Sequence, residues 1–458
     1  MAESKRLTLS PGKDGVVDRI SNLPESLLCH ILSFLPTKDS IATSILSTRW
    51  KLLWTLVPKL DLDSDTIGTS ELSADDDDDD EDERDIMFAH VVSSVLAQQE
   101  CGELQTFRLQ WKFGWDGSHL DAWLRTAAAR KVKELDLDIL VIDMDVENLK
   151  LPPSFFSCRT LVVLKLTGTI DIDIDTPSLS FNFPSLKILH LVEILFPSVI
   201  YSQERSFLRF LSGCPVLEDL SFTTDDLEGE YKVCVPTLKR FIIRDLNGSD
   251  YELEINAPAL EYFDFCGDLR VIKFYEKLNN LVQANVGLYV YENEHKEFFR
   301  ERVFRLFTAL NNVKFLSFSP DGTEWHNVGN ICPSSFQNLV QLDFKVTDCN
   351  WSVLQYLLQN APNLESLVVT KGYAVKSNLC RKELQYDRDY LSSHLTSFYY
   401  GGFEGLKDEE EFVKYILKEA RVLKTATIQV YRGKSKENVL EKLSMFPRRS
   451  TTCLLRVE

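Results

Sequence analysis

The residue types that ordinarily do chemistry are present in this chain, but never at working spacings. Seven histidines (His30, His90, His119, His190, His295, His326 and His394) stand isolated in the sequence, and a lone histidine is far more often a surface or satisfied core residue than a ligand or base. Ten cysteines are scattered from Cys29 to Cys453 without a C-x-x-C pair, so neither a zinc ribbon nor a redox dithiol is encoded locally. The run from Asp171 to Thr176 alternates carboxylates, yet it lacks the glycine and the distal glutamate of a calcium loop. The motifs G-x-S-x-G, G-x-G-x-x-G, H-E-x-x-H and the phosphate loop G-x-x-x-x-G-K-[ST] are absent. No catalytic residue, no metal site and no cofactor is therefore expected, and the chain reads as a binding protein rather than an enzyme.

Charge narrows the partner. Against 51 Lys and Arg stand 69 Asp and Glu, a net charge of −18 over 458 residues. Half of that excess is one unbroken acidic run, Asp75 to Glu83. No basic stripe offsets it, so a nucleic-acid partner is not expected. The first residues lack an apolar signal core, and no apolar run is long enough to cross a membrane. The scattered cysteines suit a reduced compartment, cytoplasm or nucleus. Sequons at Asn247 and Asn350 read as chance matches.

What must position any binding residue is a repeat. The unit L-x-x-L-x-L, with conservative replacements, begins at Leu104, Val132, Leu161, Leu186, Leu217, Leu238, Leu260, Leu281, Val313, Leu339, Leu364, Leu395 and Leu423, at intervals of 21 to 32 residues. That is the leucine-rich repeat period with some longer units. Five units carry a proline just ahead of the first leucine: FPSLKIL, CPVLEDL, VPTLKRF, APALEYF and APNLESL. Proline ends the connecting segment where the strand must start. Side chains alternate along a strand, so the second and third apolar positions point inward and the residue between them points to the concave face. That row reads Arg108, Asp136, Lys165, His190, Ser221, Ile242, Asp264, Asn285, Ser317, Asp343, Val368 and Tyr399. Its mixture of charged, polar and apolar residues suits a protein target. The last 65 residues, from His394, read as alternating strands and helices, with Ser435 capping the final helix, and are expected to form a compact α/β cap over the end of the array.

Residues 18–54 are dense in Leu, Ile and Trp. Pro24 suits a first helical turn, and Pro36 stops the apolar run. Thr37 is predicted to cap a second helix and Ser47 a third. Three helices this short cannot bury all their apolar side chains, so some should await a partner.

This N-terminal stretch resembles an F-box, through Leu23-Pro24, the ILSFLP run from Ile31 to Pro36, and STRWKLLW from Ser47 to Trp54. Together with the repeats and the C-terminal α/β region, the whole chain resembles the plant F-box/FBD/LRR-repeat proteins. The resemblance implies an α/β fold: a three-helix F-box, a curved leucine-rich repeat solenoid and an FBD-like C-terminal cap. The boundaries expected are a disordered tail over 1–17, F-box over 18–62, acidic linker over 63–85, repeats over 86–393 and cap over 394–458. It further implies a non-catalytic substrate receptor of an SCF-type ubiquitin ligase, contacting a Skp-type adaptor and through it a cullin. The candidate adaptor anchors are Leu23, Pro24, Leu28, Ile31, Leu32, Leu35, Pro36, Trp50 and Trp54. A scaffold acting outside any ligase is the alternative.

Overall fold

The proline that precedes five of the repeats sits inside a tight turn. In each, the carbonyl before the proline accepts the N–H of the first buried leucine: Phe183 from Leu186 at 3.2 Å, Cys214 from Leu217 at 3.2 Å, Val235 from Leu238 at 3.1 Å, Ala257 from Leu260 at 3.1 Å and Ala361 from Leu364 at 3.3 Å. Proline's fixed φ suits the second position of such a turn. The leucine is thereby turned inward as the strand begins.

The fold is given by a computed structural model, which describes residues 20, 22–66, 79–113, 118–141, 149–153, 155–168, 170–172, 181–194, 203–224, 229–245, 251–269, 271–275, 277–289, 296–327, 335–372, 391 and 393–458. It is of mixed α/β class, and its contacts divide into two units, Met1–Asp136 and Leu137–Glu458.

In the first unit, helix α1 (Glu25–Leu32) and helix α2 (Thr37–Ala42) precede two short 3-10 turns, Thr43–Ile45 and Leu53–Leu56. The third helix expected from Ser47 is therefore a run of turns. The side chains of Leu28, Leu32, Trp50, Leu53 and Val57 close a small core, with Leu23, Cys29 and Leu35 packed against it. The chain then passes through Pro58 into the strand Lys59–Asp63, which pairs in parallel with Thr106–Phe113. Leu60 and Leu62 are buried as a repeat strand requires. The ladder thus begins within the segment assigned to the F-box, ahead of the residue 86 expected. Thr37 does not cap α2, because Pro36 holds that position; its hydroxyl accepts the Asp61 N–H at 2.7 Å instead. The expected linker over 63–85 also changes character. A helix, α3 (Asp79–Gln98), starts inside it, so that Asp79 to Glu83 of the acidic run are helical. Asp75 to Asp78 lie outside the described residues.

In the second unit, successive short strands from Val163–Gly168 to Leu454–Val457 form one parallel sheet. Each pairs with the next in parallel, with one register shift, between Gly401 and Phe403. One face is a column of buried residues, among them Leu164, Leu189, Leu220, Phe241, Phe263, Leu316, Leu342, Leu367 and Phe398. A smaller parallel sheet, Gly229–Cys234, Tyr251–Asn256 and Ile272–Phe274, lies beyond the column. Gly168 (φ +100°) turns where any Cβ would meet the Ile139 carbonyl oxygen at 1.8 Å. The C-terminal region continues the ladder: strands Ser397–Phe403, Thr425–Val430 and Leu454–Val457 pair in the same sense as the repeats. Ser435 caps the helix Lys436–Ser444 as the sequence predicts, accepting the Asn438 N–H.

Two polar clusters tie this unit together. Asn350, fully buried, accepts the Thr347 N–H at 2.8 Å and donates to the carbonyls of Pro320 at 2.8 Å and Lys345 at 3.0 Å. This use of both ends of its amide excludes glycosylation of that sequon in the folded chain; Asn247 lies outside the described residues. Glu409 accepts the N–H groups of Glu404, Gly405 and Leu406 at 2.9, 2.9 and 3.0 Å, and lies 3.1 Å from Lys371 Nζ, which also meets Glu404 at 3.0 Å. Cys349 departs from the expectation of reduced thiols. It is disulfide-bonded.

Replacing Asn350 by Ala should cost about 3 kcal/mol, since several buried groups lose their partners at once; a fall in the urea midpoint at constant m checks this. Burial opposes the Lys371 charge, but the hydrogen bonds and charges of Glu404 and Glu409 outweigh it and raise the ammonium pKa above its ordinary 10.5. A folded value above the unfolded one gives stability that is complete below about pH 10.5 and lost as pH climbs through the raised value. Lys371→Met should therefore flatten the alkaline limb of stability against pH.

Candidate functional site

The apolar residues at the N-terminus divide into two sets that face opposite ways. Helix α1 carries three stripes. Leu28 and Leu32 enter the core, with Leu35 beyond the helix end packed against it. Ser26, Cys29, His30 and Ser33 border a cleft shared with Pro58, Lys59, Gln105 and Thr106. Leu27, Ile31 and Phe34, spaced i, i+4, i+7, remain exposed, Phe34 to 71%. The turn Thr43–Ile45 and the segment after it add Ile45, 89% exposed, Leu46 and Leu52.

Of the anchors expected from sequence, Leu28, Leu32, Trp50 and Trp54 are buried. Leu28, Leu32 and Trp50 belong to the motif's core, and burial leaves all four little surface for a partner. Leu23 and Leu35 are half-buried; Pro24, Ile31 and Pro36 are exposed. The sequence reading missed Leu27, Phe34, Ile45, Leu46 and Leu52. A helical wheel anchored on Leu28 and Leu32 separates Leu27, Ile31 and Phe34 from the core face, so for α1 the signal was present.

The cleft beside α1 places a thiol next to an imidazole, the pairing that could suggest a nucleophile. Burial, and then the Glu25 charge, push the Cys29 thiol pKa up, which disfavours the thiolate. Among the described residues, no three His, Cys, Asp or Glu side chains gather as a metal site, and no helix is long and apolar enough to cross a membrane.

Within the second unit, the outward row predicted from the repeat phase is one row in space. Lys165 stands opposite His190, and the register continues through Ser221, Ile242, Asp264, Asn285, Ser317, Asp343, Val368 and Tyr399 to Thr427 and Arg456. In the first unit, Arg108 lies between Asp61 at 3.6 Å and Asp136 at 3.9 Å. Asp264 is more enclosed than its neighbours: Tyr262 Oη, Arg244 Nη2 and Asn285 Nδ2 reach its carboxylate at 3.2, 3.2 and 3.4 Å. Burial, and then the Asp264 charge, raise the Tyr262 phenol pKa and keep it a donor. His190 Nε2 lies 3.4 Å from Asp219 Oδ1. Tyr262, Asp219, Arg240 and Arg244 stand one pleat from the central row, positions that the repeat phase also points outward.

A docking motif with an apolar face, followed by a repeat ladder, agrees with the comparisons to known proteins. The F-box domain profile matches residues 20–62, the FBD profile 389–428, and the profile for the leucine-rich repeats of FBD-associated F-box protein At5g56370 matches 120–277. The putative FBD-associated F-box protein At3g50710 of Arabidopsis thaliana is 31% identical over 471 residues, covering 96% of this chain and 100% of that protein. The chain belongs to the F-box/FBD/LRR-repeat family. Two other Arabidopsis members are similar to it over comparable lengths. F-box/FBD/LRR-repeat protein At3g52680 is 31% identical, covering 99% of this chain and 95% of its own; At4g00160 is 33% identical, covering 96% and 91%.

This F-box protein should separate fold from docking. Phe34→Asp with Ile45→Asp should weaken binding of a Skp-type adaptor by at least about tenfold, since few exposed anchors carry most of an interface, and leave the melting temperature unchanged. Leu28→Ala should instead lower stability by about 2–5 kcal/mol. Calorimetric unfolding alongside adaptor titration distinguishes the two.

Proposed function

We propose that this chain is the non-catalytic substrate receptor of an SCF-type ubiquitin ligase. Its F-box docks a Skp-type adaptor, and through it a cullin, while the open face of the repeat sheet holds a protein target in the cytoplasm or nucleus. The observation that carries this reading is the exposed apolar set Leu27, Ile31, Phe34, Ile45, Leu46 and Leu52 on a motif that already has a closed core. Exposed residues of this kind, beside a completed core, mark a surface that a partner covers. The target face is a polar row without a continuous run of Lys or Arg, which suits protein rather than a phosphate backbone. Ubiquitin transfer in such a complex belongs to other subunits, so the receptor needs no nucleophile.

The test is co-purification from cells with proteasomes inhibited, comparing the intact chain with the Phe34→Asp, Ile45→Asp variant. Deleting the F-box segment, residues 20–62, is unsuitable, because it would remove Leu60 and Leu62 of the first strand with it. Adaptor and cullin should be recovered with the intact chain and lost with the variant, while a target common to both is retained. Adaptor without cullin would identify a scaffold acting outside a ligase. Undiminished adaptor binding by the variant would place the docking face elsewhere.

A further inference from the structure

On the open face of the second unit, Arg240 and Arg244 leave the strand Arg240–Asp245 on the same side, with Ile242 between them. Neither guanidinium is loose. Arg240 stacks on the Tyr262 ring, its Cζ 4.0 Å from the ring centroid, and its Nε lies 3.6 Å from Asp219. Arg244 Nη2 lies 3.2 Å from Asp264. Asp264 is in turn held by Tyr262 and Asn285, and the Tyr262 hydroxyl accepts the Asn285 amide at 2.7 Å. The network is neutral in sum but not in what it displays. The arginine side chains are 42% and 50% exposed, whereas Asp219 and Asp264 beneath them are 23% and 12% exposed. A ligand approaching this face meets guanidinium edges first.

We propose that this arginine pair is the point at which the protein target is recognised, and that the matching feature is an extended acidic segment with two carboxylates four residues apart. The proposal rests on the reading of the chain as a receptor whose open face holds its target. Three physical arguments carry it. A guanidinium held by a carboxylate, and at Arg240 by a ring as well, keeps a free edge for bidentate contact with a second carboxylate. Its rotamers are already fixed, so binding loses less entropy than with a free side chain. The spacing selects the ligand's form: four residues along one strand place the two arginines roughly 13 Å apart. An extended ligand repeats that distance at i and i+4, while a helix puts the same positions only about 6 Å apart. Between the carboxylates, an apolar ligand residue would meet Ile242.

The probe is a synthetic peptide, Gly-Gly-Glu-Ala-Val-Ala-Glu-Gly-Gly, together with peptides selected from a displayed random library on the intact chain. Selection should enrich paired acids four residues apart. Arg240→Ala or Arg244→Ala should weaken the enriched peptides and the synthetic probe by at least about tenfold. Arg240→Lys and Arg244→Lys should fall between, because they keep the charge but lose the fork. Replacing both glutamates by glutamine should abolish binding, and moving them adjacent should weaken it. Unchanged melting temperatures for all variants exclude misfolding. A selection without acidic pairs, or acidic peptides indifferent to both arginines, overturns the proposal. If such peptides are instead lost with Asp343→Lys or Tyr399→Ala, the open face remains the target site and only the arginine assignment fails. If no substitution on the face matters, the receptor reading of that face fails with it. Preference of the arginine pair for double-stranded DNA over the acidic peptides would also overturn the proposal.

Discussion

One carbonyl oxygen shared by two amides sets the register of the ladder. The Val162 carbonyl accepts the N–H groups of both Lys187 and Ile188, at 2.8 and 3.1 Å. The Lys187 carbonyl then accepts Glu218 and Asp219, and the Glu218 carbonyl accepts Lys239 and Arg240. The relay repeats through Lys239, Glu261, Val282, Lys314, Val340 and Glu365 to Thr396. Because each acceptor stands one residue ahead of a strand, it fixes the residue on which the next strand begins, and therefore its parity. With parity fixed, every second side chain enters the leucine column. A slip of one residue would turn Leu189 and Leu191 outward and bury His190. The outward row, and the arginine pair beside it, inherit their alignment from this repeated bond.

The repeat architecture was legible because its two signals are independent and agree. Period-two burial names the inward residues, and proline before the first leucine names the turn. Together they placed twelve outward residues, ten of which stand in one continuous row of the second unit. The flanking positions Arg240, Arg244, Asp219 and Tyr262 follow from the same parity but carry no mark in a linear sequence. Their value lies in cross-strand contacts such as Arg240 over Tyr262, which join residues 22 positions apart.

The F-box was legible as a motif and less so as a surface. Both its core face and its partner face are apolar, and on α1 they differ by a single residue step, Leu27 against Leu28. Composition cannot rank the two, whereas the position of Trp50 and Leu53 across the core can. Aromatic residues dominate interfaces, so the sequence offers Trp50 and Trp54 as anchors, but both are buried and Trp50 is part of the small core. The C-terminal region was read as a cap because its helices look unlike the connectors before it. Its strands nevertheless obey the same parity, with Phe398, Ala426 and Tyr400 buried as in any other repeat.

Composition marks the acidic run as a linker without telling where its ends are fastened. Its neighbours do: the strand Lys59–Asp63 precedes it, and its last five residues open α3, which leads toward the next strand. This gives the first unit two joints of opposite tolerance. Residues gained or lost between Asp63 and α3 change only the length of the connection, for which the entropic cost varies logarithmically, and they leave the parity of the first strand unaltered. One residue gained at Val57-Pro58 would exchange the faces of Leu60 and Asp61. Length variation among relatives should therefore accumulate at the first joint and be rare at the second, so that insertion frequency by itself marks where the docking motif is rigidly coupled to the ladder.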